Sequence, residues 1–272
     1  MGLSRAVALR RTPREAGEVR TWPLWVHDER VAAGVAGRTG GVSPIPYRSL
    51  NLSVRTGDSA DNVAVNRQRF LSAFTDDSVV VWGALRHGRE VAVIDAFPEQ
   101  DRGHEPLTFR GDAAVTNLPG LLLAATFADC VPVLFWDPET AVCGLAHAGW
   151  RGTVLRVASA TVLAMKERWG SRPEAIRAFI GPSIGACCYT VGPDVVKDVQ
   201  DSFGSASADL VVDGRFNLRR ANVLDLTSAG LTPEHIEISC LCTSCRTDLF
   251  FSHRAEDGRT GRFGACIGTK SG

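Results

Sequence analysis

Residues 121–152 read LLLAATFADCVPVLFWDPETAVCGLAHAGWRG and predict three consecutive strands. The apolar runs Leu121–Ala125, Val131–Trp136 and Val142–Ala146 are short and rich in branched or aromatic residues, which is typical of buried strands. Asp137-Pro138-Glu139 separates the last two runs with residues that favour a turn. These two runs are therefore predicted to form an antiparallel hairpin.

Similar patterns extend outward from this hairpin in both directions. Further strands are predicted at Val79–Leu85, Val91–Asp95, Ala113–Thr116, Ile176–Ile180 and Ile236–Leu241. Helices are predicted from Asp61 to Phe74, from Gly152 to Trp169, and at Pro193–Phe203 and Leu218–Ala229. Because the strands occur in clusters instead of alternating with helices, the pattern indicates an α+β fold with a mixed sheet.

Composition narrows the class of protein. Of 272 residues, 44% are hydrophobic and 22% are charged, which is ordinary for a globular enzyme. Thirty basic residues balance thirty acidic ones, so no overall charge attracts nucleic acid or a membrane surface. We expect a cytoplasmic protein, since we find neither a membrane-length apolar run nor a secretory signal.

The chain is predicted to be a basic tail followed by one folded domain. Residues 1–20 carry the basic residues Arg5, Arg10, Arg11, Arg14 and Arg20, and we expect them to be disordered. Residues 21–272 are expected to form a single catalytic domain. In a reducing cytosol its eight cysteines would remain thiols, so some of them invite a metal or catalytic interpretation.

Three side chains form a candidate metal site. His87 and His147 each follow a predicted strand, and Cys130 lies between two others. The predicted hairpin brings the strand after Cys130 beside the strand before His147. Two imidazoles and a thiolate suit Zn²⁺, which keeps a fourth position open in catalytic sites. We therefore predict that His87, Cys130 and His147 are both metal ligands and catalytic residues.

The segment Gly149-Trp150-Arg151-Gly152 follows His147 and opens a predicted helix. A helix start offers free backbone N–H groups to an anion, and Arg151 could add bidentate oxygen recognition. The alternative is an ordinary strand-to-helix turn. The neighbouring candidate ligand favours the anion site.

The remaining cysteines give a weaker signal. Cys240, Cys242 and Cys245 look like a possible second metal site, but they lack a matching second half, which argues against a zinc ribbon. Cys187 and Cys188 are adjacent. Because neighbouring residues of a strand point to opposite faces, at most one of these two is expected to face a given site.

Several motifs together resemble one known family. The resemblance covers about residues 25 to 267, and its motifs are residues 37–43 (GRTGGVS), 49–53 (SLNLS), 57–58 (GD), 87–88 (HG), 112–116 (DAAVT), 128–133 (ADCVPV), 146–153 (AHAGWRGT), 181–192, 250–254 (FFSHR) and 261–262 (GR). The chain is similar to the multicopper polyphenol oxidase, or laccase-domain, family (YfiH-like). Members of that family are described as purine nucleoside phosphorylases.

This resemblance implies a mixed β-sandwich core with flanking helices and a catalytic zinc on His87, Cys130 and His147. It implies phosphorolysis of adenosine, inosine, guanosine and methylthioadenosine with phosphate, and adenosine deamination as a second activity. By the same similarity, Arg38 and Asn51 belong to the substrate pocket. Family members usually carry Gln where Leu85 stands and Tyr where His253 stands, which puts substrate preference in question.

Three other functions remain open. Copper-dependent oxidation of phenols is the activity behind the older family name, although six histidines are few for several coppers. A metal-free cysteine hydrolase would use Cys130 as nucleophile and His147 as base. A non-enzymatic interaction protein is the third alternative, and the anion-ready helix start beside the ligands argues against it.

Overall fold

The computed structural model describes residues 5–7, 19–25, 27–75, 77–99 and 106–271. Its strands are Arg5–Val7 (β1), Thr21–Pro23 (β2), Val31–Ala36 (β3), Val79–Ala84 (β4), Val91–Ile94 (β5), Thr108–Arg110 (β6), Ala113–Thr116 (β7), Leu121–Phe127 (β8), Val131–Asp137 (β9), Val142–Ala148 (β10), Arg177–Ile180 (β11), Val211–Val212 (β12), Arg215–Phe216 (β13), Ile236–Ser239 (β14) and Phe263–Thr269 (β15). Its α-helices are Ala60–Leu71 (α1), Trp150–Val154 (α2), Val157–Trp169 (α3), Pro193–Phe203 (α4), Ser207–Leu210 (α5) and Leu218–Ser228 (α6).

Two mixed sheets form the centre of the fold. The seven-stranded sheet has the order β1-β14-β11-β9-β10-β7-β5, and the six-stranded sheet has the order β2-β3-β15-β8-β4-β6. The predicted hairpin is confirmed, because β9 and β10 are antiparallel with Leu134 opposite Leu145. Parallel pairs occur in both sheets, as between β5 and β7 and between β4 and β8. The α+β class with mixed sheets is therefore confirmed.

The sheets pack face to face. Leu134 and Leu145 of the seven-stranded sheet share one buried cluster with Leu123 and Ile267 of the six-stranded sheet. On the outer faces, α3 and α6 cover the seven-stranded sheet, and Phe70 of α1 packs against the six-stranded sheet. This layering is the β-sandwich with flanking helices that the sequence resemblance implies. Among the described residues, no helix is long and apolar enough to span a membrane.

Two local predictions differ from the structure. The single helix predicted from Gly152 to Trp169 is wrong, because Arg156 has a φ of 63° and separates α2 from α3. Its guanidinium donates to the carbonyl of Ser202 at 2.6 Å, so a tertiary contact helps to hold the break. Most of the tail predicted over residues 1–20 lies outside the described residues. Where it is described, β1 pairs with β14 and Val19 is buried.

Three connections cross from the six-stranded to the seven-stranded sheet at the same end. They are residues 85–90, 111–112 and 128–130, which follow β4, β6 and β8. Those three strands are parallel, so their carboxyl ends lie together. At the middle connection Gly111 has a φ of 127°, and a Cβ there would lie 2.6 Å from the carbonyl oxygen of Glu90. The tight crossing therefore requires glycine at this position.

Packing between the sheets predicts a large stability difference between two leucines. Truncating the buried Leu134 to Ala should lower the free energy of unfolding by about 2–5 kcal/mol through lost burial and the cavity left behind. The matched control is Leu163→Ala on α3, where the leucine is 49% exposed and the change should be within about 0.5 kcal/mol. Urea unfolding measures both, and equal losses would contradict this view of the core.

Candidate metal centre

The structure brings His87, Cys130 and His147 together. One ligand atom from each lies within 4.8 Å of the others. His87 and Cys130 lie on two of the sheet-crossing connections, and His147 lies near the end of β10. The register places His147 opposite Pro132, two residues after Cys130. The three side chains therefore converge through the crossing of the two sheets.

A buried carboxylate, that of Asp112, orients both histidines. Its Oδ1 accepts the backbone N–H of His87 at 2.8 Å and lies 3.0 Å from Nδ1 of His147. Its Oδ2 accepts the backbone N–H of Gly88 at 2.7 Å. These bonds hold His87 in a left-handed conformation, with a φ of 61°. Because the carboxylate is ionised and accepts, Nδ1 of His147 donates, and Nε2 is the nitrogen left for a metal.

Sequence reasoning did not single out Asp112 as a site residue. Its position directly before a buried strand was visible, but its partners lie 24 to 35 residues away along the chain. Its pKa is lowered to about 2: burial raises it, but hydrogen bonds from His147 and from the backbone of Gly88 outweigh burial. The carboxylate therefore remains charged at neutral pH.

The surroundings of Cys130 and His147 favour a thiolate on Cys130 beside a protonated imidazole on His147. Burial raises the pKa of the Cys130 thiol, but the charge and hydrogen bonds of His147 and His87 outweigh it, so the pKa is lowered. Burial likewise lowers the pKa of His147, but the charges and hydrogen bonds of Cys130 and Asp112 raise it. A thiolate is the form that coordinates metals and acts as a nucleophile.

The connection that carries Cys130 is fixed by its neighbour Asp129, which has a φ of 82°. Oδ1 of Asp129 accepts the hydroxyls of Thr243 at 2.6 Å and Ser252 at 2.8 Å. Its Oδ2 accepts the backbone N–H of Arg254 at 2.7 Å. Asp129 thus ties the thiol-bearing connection to two distant segments, and it is a second positioning residue that sequence reasoning missed.

Gly149 allows the start of α2 to approach the three ligands. A Cβ at this position would lie 2.9 Å from Sγ of Cys130 and 3.5 Å from Cδ2 of His87. Since the φ of Gly149 is −68°, backbone strain does not require glycine here. Glycine is required because a methyl group would occupy the space of the thiol.

A cavity of about 890 Å³ opens onto the three ligands, a volume in the range of small-molecule sites. Its wall combines apolar side chains with several cations and one carboxylate; the charged and imidazole groups are those of Arg55, Arg67, Arg262, His253 and Asp61. Leu85 also lines it. Both departures from the family pattern, Leu85 and His253, therefore lie on the cavity wall.

The other predicted site residues lie elsewhere. The Arg38 guanidinium forms a 3.0 Å ion pair with Glu256 and lines a separate cavity of about 600 Å³. Asn51 is buried behind the first cavity, where its Oδ1 accepts the backbone N–H groups of Ser53 at 3.2 Å and Arg262 at 2.9 Å. Asn51 therefore supports two residues of the cavity wall without facing the cavity.

Arg151 also does not line the cavity of the three ligands. Its guanidinium lies 4.2 Å from the ring centre of Trp150, and both residues line a different surface pocket with Asp198 and Asp201. The two are the first residues of α2, which contains five residues. The structure therefore places the Arg151 side chain away from the candidate metal centre, although the backbone at Gly149 lies beside it.

Comparison with known proteins identifies the family. The family described as multi-copper polyphenol oxidoreductase laccase matches residues 32–270. The chain belongs to this family, which confirms the resemblance drawn from its motifs.

Individual relatives match over nearly the whole chain. The chain is 36% identical over 256 residues to the purine nucleoside phosphorylase YlmD of Bacillus subtilis strain 168, covering 90% of each protein. It is 35% identical over 248 residues to the purine nucleoside phosphorylase YfiH of Escherichia coli K12, covering 90% of this chain and 96% of that protein. The crystal structure of the Bacillus licheniformis hypothetical protein YfiH matches with a TM-score of 0.84 at 36% identity, covering 94% of this chain and 98% of the other.

The role of Asp112 predicts a specific loss in Asp112→Asn. An amide nitrogen would face the backbone N–H groups that now donate to the carboxylate, and the affinity of the three-ligand site for a divalent metal ion should fall by about 10- to 100-fold. Competition with a chromophoric chelator measures that affinity. The control is Asp225→Asn, since Asp225 is equally buried but bonds to Ser159, remote from the ligands. Equal effects of the two variants would show that Asp112 has no special role.

Gly149→Ala tests the close approach of α2. The added methyl should lower the free energy of unfolding by about 1–3 kcal/mol through overpacking against Cys130. Gly192→Ala is a matched control, because Gly192 also precedes a helix, has a φ of −80°, and would place its added methyl in open space, with nothing within 4 Å. Its change should be within about 0.5 kcal/mol. Chemical unfolding that shows no difference between the two would refute the steric argument.

Proposed function

We propose that this chain is a cytoplasmic, zinc-dependent purine nucleoside phosphorylase that acts on adenosine, inosine, guanosine and methylthioadenosine with phosphate. Adenosine deamination is its second proposed activity. The observation that carries the proposal is the opening of the His87, Cys130 and His147 centre into a cavity with a cationic wall. The printed names of the relatives, purine nucleoside phosphorylases, support the same assignment.

The donor set supports zinc. Two imidazole nitrogens and one thiolate sulfur are ligands that Zn²⁺ accepts, and three protein ligands are usual for a catalytic site. Zinc held by His87, Cys130 and His147 would supply a Lewis acid that polarises an oxygen of the substrates. Asp112 holds the backbone of His87 and the imidazole of His147 in place before any substrate binds.

The cavity arginines support phosphate binding. Arg55, Arg67 and Arg262 line the cavity, and none of them forms a salt bridge with another described residue. Burial lowers the pKa of Arg67, so an anion that approached it would restore part of the lost solvation. Since Arg151 lies outside this cavity, we assign phosphate to the cavity arginines in preference to the start of α2.

The apolar part of the same wall suits a purine base. Val54, Val63, Ala64 and Leu85 line the same cavity as the arginines and the histidines. Their side chains would exclude water from one face of the base, while the cations hold the phosphate for attack on the ribose carbon. Holding both reactants in one site replaces a bimolecular encounter with an oriented one.

A cysteine hydrolase is the strongest alternative, because the lowered pKa of Cys130 beside His147 would also activate a nucleophile. It predicts activity that survives chelation and needs no phosphate. A copper polyphenol oxidase predicts several coppers per chain and oxidation of phenols. Phosphate-dependent release of hypoxanthine from inosine, lost after zinc removal, would exclude both.

Cys130→Ala provides the direct test of the centre. We expect it to abolish phosphorolysis of inosine and deamination of adenosine while leaving the fold intact, with products resolved by chromatography. Cys240→Ala is the matched control, since Cys240 is exposed and lies outside the ligand set. Should folded Cys130→Ala still release hypoxanthine in a phosphate-dependent manner, the proposed site would be wrong.

Arg67→Gln tests the phosphate assignment. Loss of a hydrogen bond to a charged group costs about 1.5–3 kcal/mol, so KM for phosphate should rise by about 10- to 150-fold. KM for the nucleoside should change little. The control is Arg69→Gln on the same helix, since Arg69 is exposed, bonds to the carbonyl of Gly40 and does not line the cavity. An unchanged phosphate KM in Arg67→Gln would place phosphate elsewhere.

A further inference from the structure

Four cysteines outside the candidate catalytic centre converge at the surface. The sulfur atoms of Cys187, Cys188, Cys242 and Cys245 all lie within 4.8 Å of one another. Sγ of Cys245 is 3.3 Å from Sγ of Cys188 and 3.6 Å from Sγ of Cys187. Four thiolates placed tetrahedrally about 2.3 Å from Zn²⁺ would be about 3.8 Å apart. The sulfur positions therefore fit a single zinc ion with little movement.

Local structure explains why both adjacent cysteines reach this cluster. Cys187 and Cys188 lie in a turn, where the backbone N–H groups of Cys188 and Tyr189 both donate to the carbonyl of Gly185. The expectation that at most one of the two cysteines faces a given site is wrong, because it assumed a strand. The turn also supplies the second half that Cys242 and Cys245 lack in sequence.

The surroundings of the cluster favour negatively charged sulfur. The backbone N–H of Gly185 donates to Sγ of Cys242 at 3.2 Å. A Cβ on Gly185 would lie 2.8 Å from Nη2 of Arg219 and 3.1 Å from Sγ of Cys187, so the guanidinium lies next to the cluster. A zinc ion with four thiolates is a net anion, and a nearby guanidinium offsets part of that charge.

We propose that Cys187, Cys188, Cys242 and Cys245 form a tetrathiolate site for a structural zinc ion, distinct from the His87, Cys130 and His147 centre. Four protein ligands close the coordination sphere, which is the arrangement of structural zinc sites. Soft thiolate ligands select zinc over the harder divalent ions magnesium and calcium. The site joins residues 183–189 to residues 242–245, which are more than fifty positions apart.

This zinc ion would brace the connection that carries the catalytic thiol. The backbone N–H of Ile184 donates to the carbonyl of Asp129 at 2.9 Å, and the hydroxyl of Thr243 donates to its carboxylate at 2.6 Å. Ile184 and Thr243 lie on the two segments that the cluster joins. The structural zinc ion is therefore placed to fix the residue directly before Cys130.

Zinc counts in matched variants test the proposal. We compare four full-length proteins produced with added zinc, dialysed without chelator and analysed by mass spectrometry for metal: wild type, Cys130→Ala, the double variant Cys242→Ser/Cys245→Ser, and the control Cys240→Ser. Cys130→Ala should retain one zinc ion per chain, independently of its loss of activity. The double variant should hold one fewer zinc ion than wild type, and Cys240→Ser should match wild type.

Two further measurements keep the test decisive if the double variant does not fold. X-ray absorption of Cys130→Ala should show four sulfur neighbours at about 2.3 Å from zinc. Alkylation of the native protein should label Cys187, Cys188, Cys242 and Cys245 only after zinc is removed. Folded Cys130→Ala without zinc, a nitrogen neighbour in its spectrum, or a disulfide among the four cysteines would overturn the proposal. Failure here would leave the phosphorolysis assay untouched, because that assay depends on the other centre.

Discussion

The carboxylate of Asp112 joins the backbone of one sheet-crossing connection, residues 85–90, to the side chain of His147 on β10. It accepts the N–H groups of Arg86, His87 and Gly88 and lies within hydrogen-bond distance of the His147 ring. A buried charge that loses its partners costs about 3–5 kcal/mol, so the four contacts are mutually dependent. Without the carboxylate, the left-handed turn at His87 and the orientation of His147 would lose their common support. The geometry of the metal centre therefore depends on this one buried group.

The two sheets determine where that carboxylate and the ligands lie. Asp112, His87 and Cys130 belong to three connections that cross between the sheets. His147 belongs to β10, which lies between β7 and β9, the strands that two of those connections enter. Each crossing begins and ends in a hydrogen-bonded strand, so its few residues have little freedom. The positions of the ligands are consequently set by how the sheets pack, which fixes a site better than long surface loops can.

Sequence reasoning succeeded where the determining contacts are short in range. The turn after Asp137 specified the β9–β10 hairpin, and the hairpin placed Cys130 and His147 at one end. Asp112 and Asp129 could not be assigned from a single sequence, because their partners are brought near only by the completed sandwich. The meeting of Cys187 and Cys188 with Cys242 and Cys245 was not predicted, and the reason is local. The expectation for Cys187 and Cys188 assumed a strand, whereas the two residues lie in a turn. Arg156 broke a predicted helix because tertiary hydrogen bonds outweighed helical periodicity.

Asp129 links the candidate catalytic centre to the proposed structural zinc site. Its left-handed conformation is unfavourable for a residue other than glycine and persists because its carboxylate and carbonyl are both engaged. Two of the segments that engage it, those of Ile184 and Thr243, are the ones that the four cysteines would join. A metal ion there would reduce the freedom of Thr243 and Ile184, and through them the freedom of the residue next to Cys130. The thiol would then enter its own centre already positioned, which lowers the conformational cost of binding the catalytic metal.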